Sequence, residues 1–223
     1  MSRRKYKDNY FHLDEIMECE ATYNMIIGER SNGKTYAVLE HCIWDYAKNG
    51  RELAIVRRWD TDYKGKRGAN VFAGLVDNHV IEKATDGEWT SVWYWSGMWY
   101  FCRYDEKGNR ERAEDPFAYA FSLNTVEHDK STSYPNIGNI AFDEFITRST
   151  YLVDEFVLFM NTVSTIVRDR TNVKIWMMGN TVNKYNCPYW NEMGLTHLRS
   201  MKPGDLSVYT YGETELRVAV QYS

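Results

Sequence analysis

The sequence predicts an α/β fold with a mostly parallel central sheet and helices on both faces. Short apolar runs alternate along the chain with longer segments of helical periodicity. The apolar runs are continuous, which is typical of strands buried on both faces of a parallel sheet. An aromatic segment at 89–104, interrupted by Ser96 and Gly97, adds an antiparallel β-hairpin.

Composition limits the class of protein without naming a ligand. With 223 residues, 43% of them hydrophobic, the chain is long enough for one sizeable core. The net charge of −4 does not indicate a nucleic-acid partner, although a ring-shaped motor can grip DNA through a few local loops. The four scattered cysteines favour free thiols in a reducing cytoplasm. No apolar run reaches the length of a membrane span, and no signal peptide is expected.

The predicted organisation has three parts. Residues 1–21 form an N-terminal segment, and residues 22–193 form the core, in which 89–123 is a β-rich insertion. Residues 194–223 are expected to be a C-terminal extension or the start of a linker, because they are too few for a second domain.

The expected elements follow from apolar pattern and turn signals. Asn49 and Gly50 end the first long helix, since Gly is common just after a helix. The aromatic hairpin is expected to pack as a meander, although its rings could also stack on bases. The elements are, in order, a short helix over 13–19, a strand over 22–27, a helix over 36–48, a strand over 53–56, a mobile basic loop over 62–70, a helix or strand over 71–82, the hairpin 89–104, a charged turn over 105–115, strands over 117–123 and 137–142, a helix over 153–168 and a strand over 173–178.

Residues 28–35 carry the strongest motif in the chain. They match the phosphate-binding pattern G-x-x-x-x-G-K-[ST] and lie between a predicted strand and a predicted helix, as the motif requires. Backbone N–H groups cradle the phosphates, Lys34 reaches the β- and γ-phosphates, and the Thr35 hydroxyl ligates Mg²⁺. The candidate nucleotide-binding residues are Gly28, Glu29, Arg30, Ser31, Asn32, Gly33, Lys34, Thr35, Tyr36, Asp143 and Asn180.

Two adjacent carboxylates complete the predicted site. The apolar strand 137–142 ends in Asp143 and Glu144. Asp143 suits a direct or water-mediated contact with Mg²⁺, and Glu144 is placed to orient and deprotonate an attacking water. An exposed pair of loop carboxylates is the less favoured interpretation, because an apolar strand precedes the pair.

The pair also separates classes of nucleotide-binding protein. A GTPase would show N-K-x-D late in the chain, whereas residues 183–186 lack the Asp. A small-molecule kinase would usually lack the two carboxylates and would carry an Arg-rich lid. The catalytic Glu beside the metal-binding Asp therefore points to a water-activating, motor-type ATPase.

Two later polar positions have two interpretations each. Asn180, just past a predicted strand, either senses the γ-phosphate or is a simple turn residue, and the sequence favours neither. Arg168, with Arg170 close behind, either inserts into a neighbouring subunit's site or caps a solvated helix end. The residues alone favour the solvated helix end.

The order of these motifs resembles the DNA-packaging ATPases of small tailed phages of the phi29 type. The similarity runs from about residue 22 to 190. The residues that carry it are Ile26–Ala37, Ile55–Arg58, Lys130-Ser131, Tyr134–Asn136, Ile140–Ile146, Thr162-Val163, Arg168, Arg170, Asn180 and Pro188-Tyr189.

The resemblance implies a RecA-like P-loop NTPase fold of the additional-strand, catalytic-Glu (ASCE) class. It implies a homomeric ring, a pentamer when full length, that sits on the capsid portal in the host cytoplasm and uses ATP with Mg²⁺ to drive double-stranded DNA into the procapsid. Arg168 becomes the favoured finger, Lys130 a second residue acting across the subunit boundary, and Arg57 the residue that restrains Glu144. Family members carry a further C-terminal domain of nuclease-like fold, which this chain is expected to lack.

Two alternatives stay open. One is another ring-type ATPase that depends on nucleic acid, such as a RecA-like recombinase or a helicase-like DNA pump. The other is a nucleotide-switched scaffold, which the intact Lys34, Asp143 and Glu144 argue against. For DNA contact the basic runs 3–5 and 64–67 are hypotheses, since solvated charge is the usual role of such runs.

Overall fold

The computed structural model describes residues 10–125, 133–181, 187–212 and 216–223. One sheet runs through these residues, with its strands in the order β3-β4-β6-β2-β7-β8-β1-β10-β9 and β5 beside β4. The strands are β1 Tyr23–Gly28, β2 Glu52–Arg57, β3 Ser91–Trp95, β4 Met98–Tyr104, β5 Arg110–Arg112, β6 Ala118–Ser122, β7 Ile137–Asp143, β8 Lys174–Asn180, β9 Leu206–Thr210 and β10 Arg217–Tyr222.

Helices lie on both faces of this sheet, as predicted. Gly50 ends α2 in the left-handed conformation, with φ of 68°, and its N–H bonds the Tyr46 carbonyl. The described helices are α1 Asp14–Met17, α2 Lys34–Asn49, α3 Lys66–Ala69, α4 Ala73–Asp77, α5 Val80–Ala84, α6 Glu155–Val167 and α7 Pro188–Glu192, with 3-10 turns at Asp60–Tyr63 and Thr196–Ser200.

The middle of the sheet is parallel and its two flanks are antiparallel. Strands β6, β2, β7, β8, β1 and β10 run in the same direction, while β4 and β9 run against their neighbours. The predicted mostly parallel α/β sheet is therefore confirmed. Successive residues of β1 enter opposite cores: Ile27 packs on the α6 side and Ile26 on the α2 side. Burial on both faces explains why these strands are continuously apolar.

Parallel strands bring the predicted site together. Gly28 at the end of β1 is in register with Asn180 at the end of β8. Asp143 at the end of β7 is in register with Met178 of β8. The carboxyl ends of three strands thus meet at one edge of the sheet, which is where ligands bind in open α/β sheets.

The aromatic hairpin forms as predicted. β3 and β4 pair antiparallel around Ser96 and Gly97, both at positive φ. One face of the hairpin packs against the core, as predicted for a meander, and Trp99 on that face is fully buried. On the other face Trp95 is 56% exposed, and the Arg110 guanidinium lies 3.9 Å from the centre of the Trp93 ring.

The prediction of a loop over 62–70 is wrong. A 3-10 turn and α3 occupy this segment. It is anchored because the buried Tyr63 hydroxyl donates to the carbonyls of Ile55 and Phe121. The Trp99 indole N–H also donates to the Gly68 carbonyl at 2.8 Å. Two of these three contacts, to Phe121 and from Trp99, join residues 31 or more positions apart, which a local pattern cannot reveal.

Strands were not predicted after residue 193. The structure places β9 and β10 there, and β10 pairs in parallel with β1, so residues 217–222 lie beside the strand that carries the phosphate loop. Among the described residues, no helix combines the length and apolar character needed to cross a membrane.

Candidate functional site

The loop between β1 and α2 forms a compact turn. Gly33 adopts φ of 89° immediately before α2, and Ser31 also has positive φ, at 61°. A side chain at Gly28 would collide with Ser223 and Asn32, so the close approach of these residues requires glycine. The turn places the N-terminus of the sixteen-residue α2 at the loop, and a helix N-terminus favours bound anions.

Lys34 lies buried at the centre of the loop. Its Nζ donates to the Glu29 carbonyl at 2.6 Å, to Asn32 Oδ1 at 2.8 Å and to Asn180 Oδ1 at 3.5 Å. Burial lowers the pKa of Lys34 from 10.5 to about 8, although the carboxylates of Asp143 and Glu29 favour its charged form. A buried ammonium held in place by neutral oxygens is suited to receive an anion such as a phosphate.

Asp143 has a partner on each carboxylate oxygen. Thr35 Oγ1 donates to Asp143 Oδ1 at 3.0 Å, and Arg57 donates to Asp143 Oδ2, also at 3.0 Å. The ion pair that Arg57 makes is with Asp143, and a restraint of Glu144 by Arg57 stays a prediction. The physical reason is register: Arg57 ends β2, which lies directly beside β7.

Glu144 follows in a strained backbone conformation, with φ of 58°. Arg58 supports this conformation, because its guanidinium donates hydrogen bonds to the carbonyls of Glu144 and Phe145, each at 3.2 Å. The Phe145 N–H bonds the Met178 carbonyl on β8. These contacts fix the main chain on which the Glu144 carboxylate is carried.

A buried ion pair anchors Arg58 in turn. Glu155, at the start of α6, accepts hydrogen bonds from Arg58 Nε at 2.6 Å and Nη2 at 2.7 Å. Glu155 also accepts from the Leu152 N–H and the Tyr189 hydroxyl, and burial beside Glu155 raises the pKa of Tyr189. Sequence analysis missed Glu155. The available signal was an acidic residue facing the apolar side of a predicted helix.

A cavity of about 440 Å³ opens between these elements. All of the predicted nucleotide-binding residues except Gly28 and Glu29 line this cavity. These two lie next to lining residues, since Gly28 is in register with Asn180 and the Glu29 carbonyl accepts a hydrogen bond from Lys34. Lining it are Arg30, Ser31, Asn32, Gly33, Lys34, Thr35, Tyr36, Asp143, Glu144, Met178, Gly179 and Asn180.

The donor set at Thr35 and Asp143 fits Mg²⁺ bound together with phosphates. Mg²⁺ is commonly held by one or two protein oxygens while substrate phosphates and waters supply the rest, and the two oxygens lie 3.0 Å apart. A metal site made by the protein alone is not found: the described part of the chain has no cluster of three His, Cys, Asp or Glu residues suited to a metal ion.

The two arginines after α6 differ in their surroundings. Arg170 is fixed, since its guanidinium donates to the backbone carbonyls of Tyr134, Pro135, Ile137 and Ile166. Arg168 is exposed at the end of α6, with φ of 49°. Arg170 donates to the Ile137 carbonyl at the start of β7, and Arg168 precedes Arg170 by two residues, whereas Asp143 ends that strand. Lys130 and the stretch 183–186 lie outside the described residues.

Comparisons with known proteins show which proteins this chain is similar to. The family profile for the podovirus DNA encapsidation protein (Gp16) matches residues 102–197. The DNA packaging protein of Bacillus phage phi29 is 27% identical over 188 residues, which are 82% of this chain and 50% of that protein. The corresponding protein of Bacillus phage B103 is 28% identical over 184 residues, 81% of this chain and again 50% of the relative.

This chain resembles the DNA-packaging proteins of phi29-like phages. The resemblance that its motifs predict is thereby confirmed. The chain spans about half the length of these curated relatives.

Solved structures show the same fold. The N-terminal domain of the DNA packaging ATPase from bacteriophage phi29 superposes with a TM-score of 0.72 at 20% identity, covering 97% of both chains. The Phi-28 gp11 DNA packaging motor gives a TM-score of 0.70 at 19% identity, covering 97% of this chain and 60% of that one. The mixed α/β sheet is thus shared with a packaging ATPase domain.

Proposed function

We propose that this chain is the ATPase part of a motor subunit that drives double-stranded DNA into a preformed viral capsid. One observation carries the proposal: Lys34, Thr35, Asp143 and Glu144 line the same cavity. These residues supply the phosphate-binding, metal-binding and water-activating groups of ATP hydrolysis. The relatives named as DNA packaging proteins support the biological role.

Each residue has a separate task in this mechanism. Lys34 and the loop backbone bind the phosphates, and Asn180, which contacts Lys34, is placed to sense the γ-phosphate. Thr35 and Asp143 would hold Mg²⁺, which neutralises charge on the transferring phosphoryl group when it is bound. Glu144 orients a water and accepts its proton. Arg57 and Arg58 hold the two acidic residues in place.

The strand order supports the finer fold assignment. In the described sheet β8 lies between β1, which carries the phosphate loop, and β7, which carries the acidic pair. An additional strand between these two motifs is the arrangement of the RecA-like, catalytic-Glu class that the resemblance implies. The same order gives Asn180 its position beside the loop.

The position of Arg168 supports a ring of subunits. At about 3.3 Å per residue, the seven-residue β7 separates the edge near Arg168 from the edge at Asp143 by about 20 Å. Arg168 therefore acts, in this proposal, on the ATP of a neighbouring subunit. A ring of full-length subunits is a pentamer. It is attached to the capsid portal in the host cytoplasm, and DNA passes through it.

The first test is hydrolysis by Glu144→Gln. ATP binding is expected to be kept, while turnover falls by roughly 10²-fold or more with the loss of the general base. Glu106→Gln, an exposed carboxylate in the turn after β4, is the matched control and should behave as wild type. Normal turnover by Glu144→Gln would sink the assignment of the acidic pair.

A second measurement separates the packaging motor from the alternatives. Double-stranded DNA should stimulate turnover more than single-stranded DNA at the same salt concentration. A clear preference for single strands would favour the recombinase or helicase-like class instead. ATP binding without turnover under every condition would favour the nucleotide-switched scaffold.

A further inference from the structure

Directed hydrogen bonds connect the residue after β10 with the ammonium of Lys34. The N–H and the hydroxyl of Ser223 both donate to the Ile27 carbonyl, at 2.8 and 3.3 Å. Asn32 Nδ2 donates in turn to the Ser223 hydroxyl oxygen, and Lys34 Nζ donates to Asn32 Oδ1 at 2.8 Å. Ser223 and Asn32 are 191 positions apart, so the pairing of β10 with β1 is what brings them together.

We propose that the Ser223 hydroxyl positions the ammonium of Lys34 for phosphate binding by fixing the direction in which the Asn32 side-chain amide points. This inference rests on the proposed function, since it takes Lys34 as a phosphate-binding group. It adds to the site a positioning residue from outside the phosphate-loop motif, and this residue acts through Asn32.

The donors and acceptors along this connection allow one orientation of the Asn32 amide. The proton of the Ser223 hydroxyl goes to the Ile27 carbonyl, so the hydroxyl oxygen accepts from Asn32 and does not donate to it. At the other end an ammonium can only donate, so the amide atom that faces Lys34 must be Oδ1. Without the hydroxyl this constraint is lost. A flipped amide would then direct its N–H groups at Lys34 and disfavour the ammonium.

The side-chain rotation of Asn32 is the freedom that Ser223 removes. The main chain of Asn32 is already held, because the Phe11 N–H donates to the Asn32 carbonyl at 2.8 Å. The Ser223 side chain lies directly against the loop, since a Cβ at Gly28 would collide with its Oγ. The hydroxyl is therefore fixed in place beside the amide that it orients.

Asn32 is the side chain that holds Lys34 at the shorter distance. Of the three oxygens that accept hydrogen bonds from Lys34, one is the backbone carbonyl of Glu29. The other two belong to Asn32, at 2.8 Å, and to Asn180, at 3.5 Å. The orientation of the Asn32 amide should consequently affect both the position and the charge of the ammonium.

The test is a double-variant cycle that measures affinity for ATP and for inorganic tripolyphosphate. Ser223→Ala should weaken the binding of both ligands by about three- to tenfold, as expected for one misdirected hydrogen bond. Asn32→Ala removes the group through which Ser223 acts, so adding Ser223→Ala to it should cause no further loss. Ser207→Ala, at a half-buried serine on the adjacent β9, is the matched control and should bind as wild type does.

The pH dependence of affinity gives a readout that a change in packing alone would not move. An amide that no longer accepts from Lys34 favours the neutral amine, so in Ser223→Ala the affinity should begin to fall at a lower pH than in wild type. Ser207→Ala should keep the wild-type profile. The charged groups around Lys34 are the same in all of these variants, and they are Glu29, Arg30, Arg57, Asp143 and Glu144.

Three results would overturn the positioning role: additive losses in the double variant, an unchanged pH profile in Ser223→Ala, or wild-type affinity of Ser223→Ala for tripolyphosphate. Ser223→Cys keeps the packing and weakens the hydrogen bonds, so it provides the same comparison should Ser223→Ala not fold. If wild-type protein binds neither ATP nor tripolyphosphate, the proposed function itself fails, whatever the Ser223 variants do.

Discussion

Thr35 and Asp143, 108 positions apart in the chain, are joined by a 3.0 Å hydrogen bond from Thr35 Oγ1 to Asp143 Oδ1. The contact exists because β8 lies between β1 and β7 and aligns their carboxyl ends. Arg57 holds the other oxygen of Asp143. The oxygen that faces Thr35 is therefore oriented toward the loop, where it can exchange its hydroxyl partner for a cation.

Replacing Thr35 by Val should weaken ATP binding in the presence of Mg²⁺. The loss should be at least about tenfold, since even residues that only support a metal ligand contribute roughly 10- to 100-fold to metal affinity. In excess EDTA the affinity for ATP should be close to that of wild type. Thr35→Ser keeps the hydroxyl and serves as the control. An equal loss with and without Mg²⁺ would mean that Thr35 acts on the fold of the loop rather than on the metal.

Nucleotide affinity should fall as the pH rises above about 8. The pKa of Lys34 is lowered by burial from 10.5 to about 8, so the ammonium is lost in the free protein above that pH. A bound phosphate favours the charged form of Lys34. Above this pH nucleotide binding therefore requires Lys34 to take up a proton, so the affinity falls by up to about tenfold per pH unit. Lys34→Arg stays charged throughout, and its affinity should change little over the same range of pH.

The same lowered pKa has a consequence for stability. Between pH 8 and 10.5 the unfolded chain binds more protons at Lys34 than the folded chain does. The free energy of unfolding contributed by this residue therefore increases as the pH rises through that interval. In Lys34→Met the contribution should vanish, which denaturant titrations at pH values from about 7.5 to 10 can measure against wild type.

Local patterns predicted those parts of the site that adjoin a strand end. Gly28–Thr35, Asp143 and Asn180 were found because each follows an apolar strand, and parallel strands bring such positions to one edge. The ion pair of Arg58 and Glu155 was not found, because its members are 97 positions apart and pair only after α6 packs on the sheet. β10 was missed for a related reason: its place beside β1 depends on pairing over nearly the whole chain.

Breaking the buried pair of Arg58 and Glu155 should destabilise the fold. The side chains are 6% and 1% exposed, so Arg58→Met leaves an unpaired buried carboxylate, at a cost of about 3–5 kcal/mol in the free energy of unfolding. Chemical denaturation measures this cost. Arg103→Met, which breaks the exposed pair with Glu111, is the matched control and should cost less than about 1 kcal/mol.

The double variant Arg58→Met with Glu155→Leu separates stability from catalysis. Replacing both charges by apolar groups should restore much of the stability, because buried ion pairs contribute little net energy. Turnover should stay low, because the hydrogen bonds from Arg58 to the Glu144 and Phe145 carbonyls are still missing. Full recovery of turnover in this variant would show that Arg58 does not position Glu144.

Substitutions of the two arginines after α6 should affect different properties, stability for one and turnover for the other. Arg170→Ala removes a guanidinium that donates to four backbone carbonyls, so it should lower stability. Arg168→Ala alters an exposed side chain, so it should leave the fold intact and reduce turnover, by roughly 10³-fold or more if Arg168 is an arginine finger.

Mixing Arg168→Ala with Glu144→Gln subunits, at concentrations that allow association, should restore activity. Of the two kinds of mixed interface, one then combines an intact Glu144 from one subunit with an intact Arg168 from its neighbour, and the other lacks both groups. If the mixture hydrolyses no more ATP than the two variants do separately, Arg168 does not act across the subunit boundary.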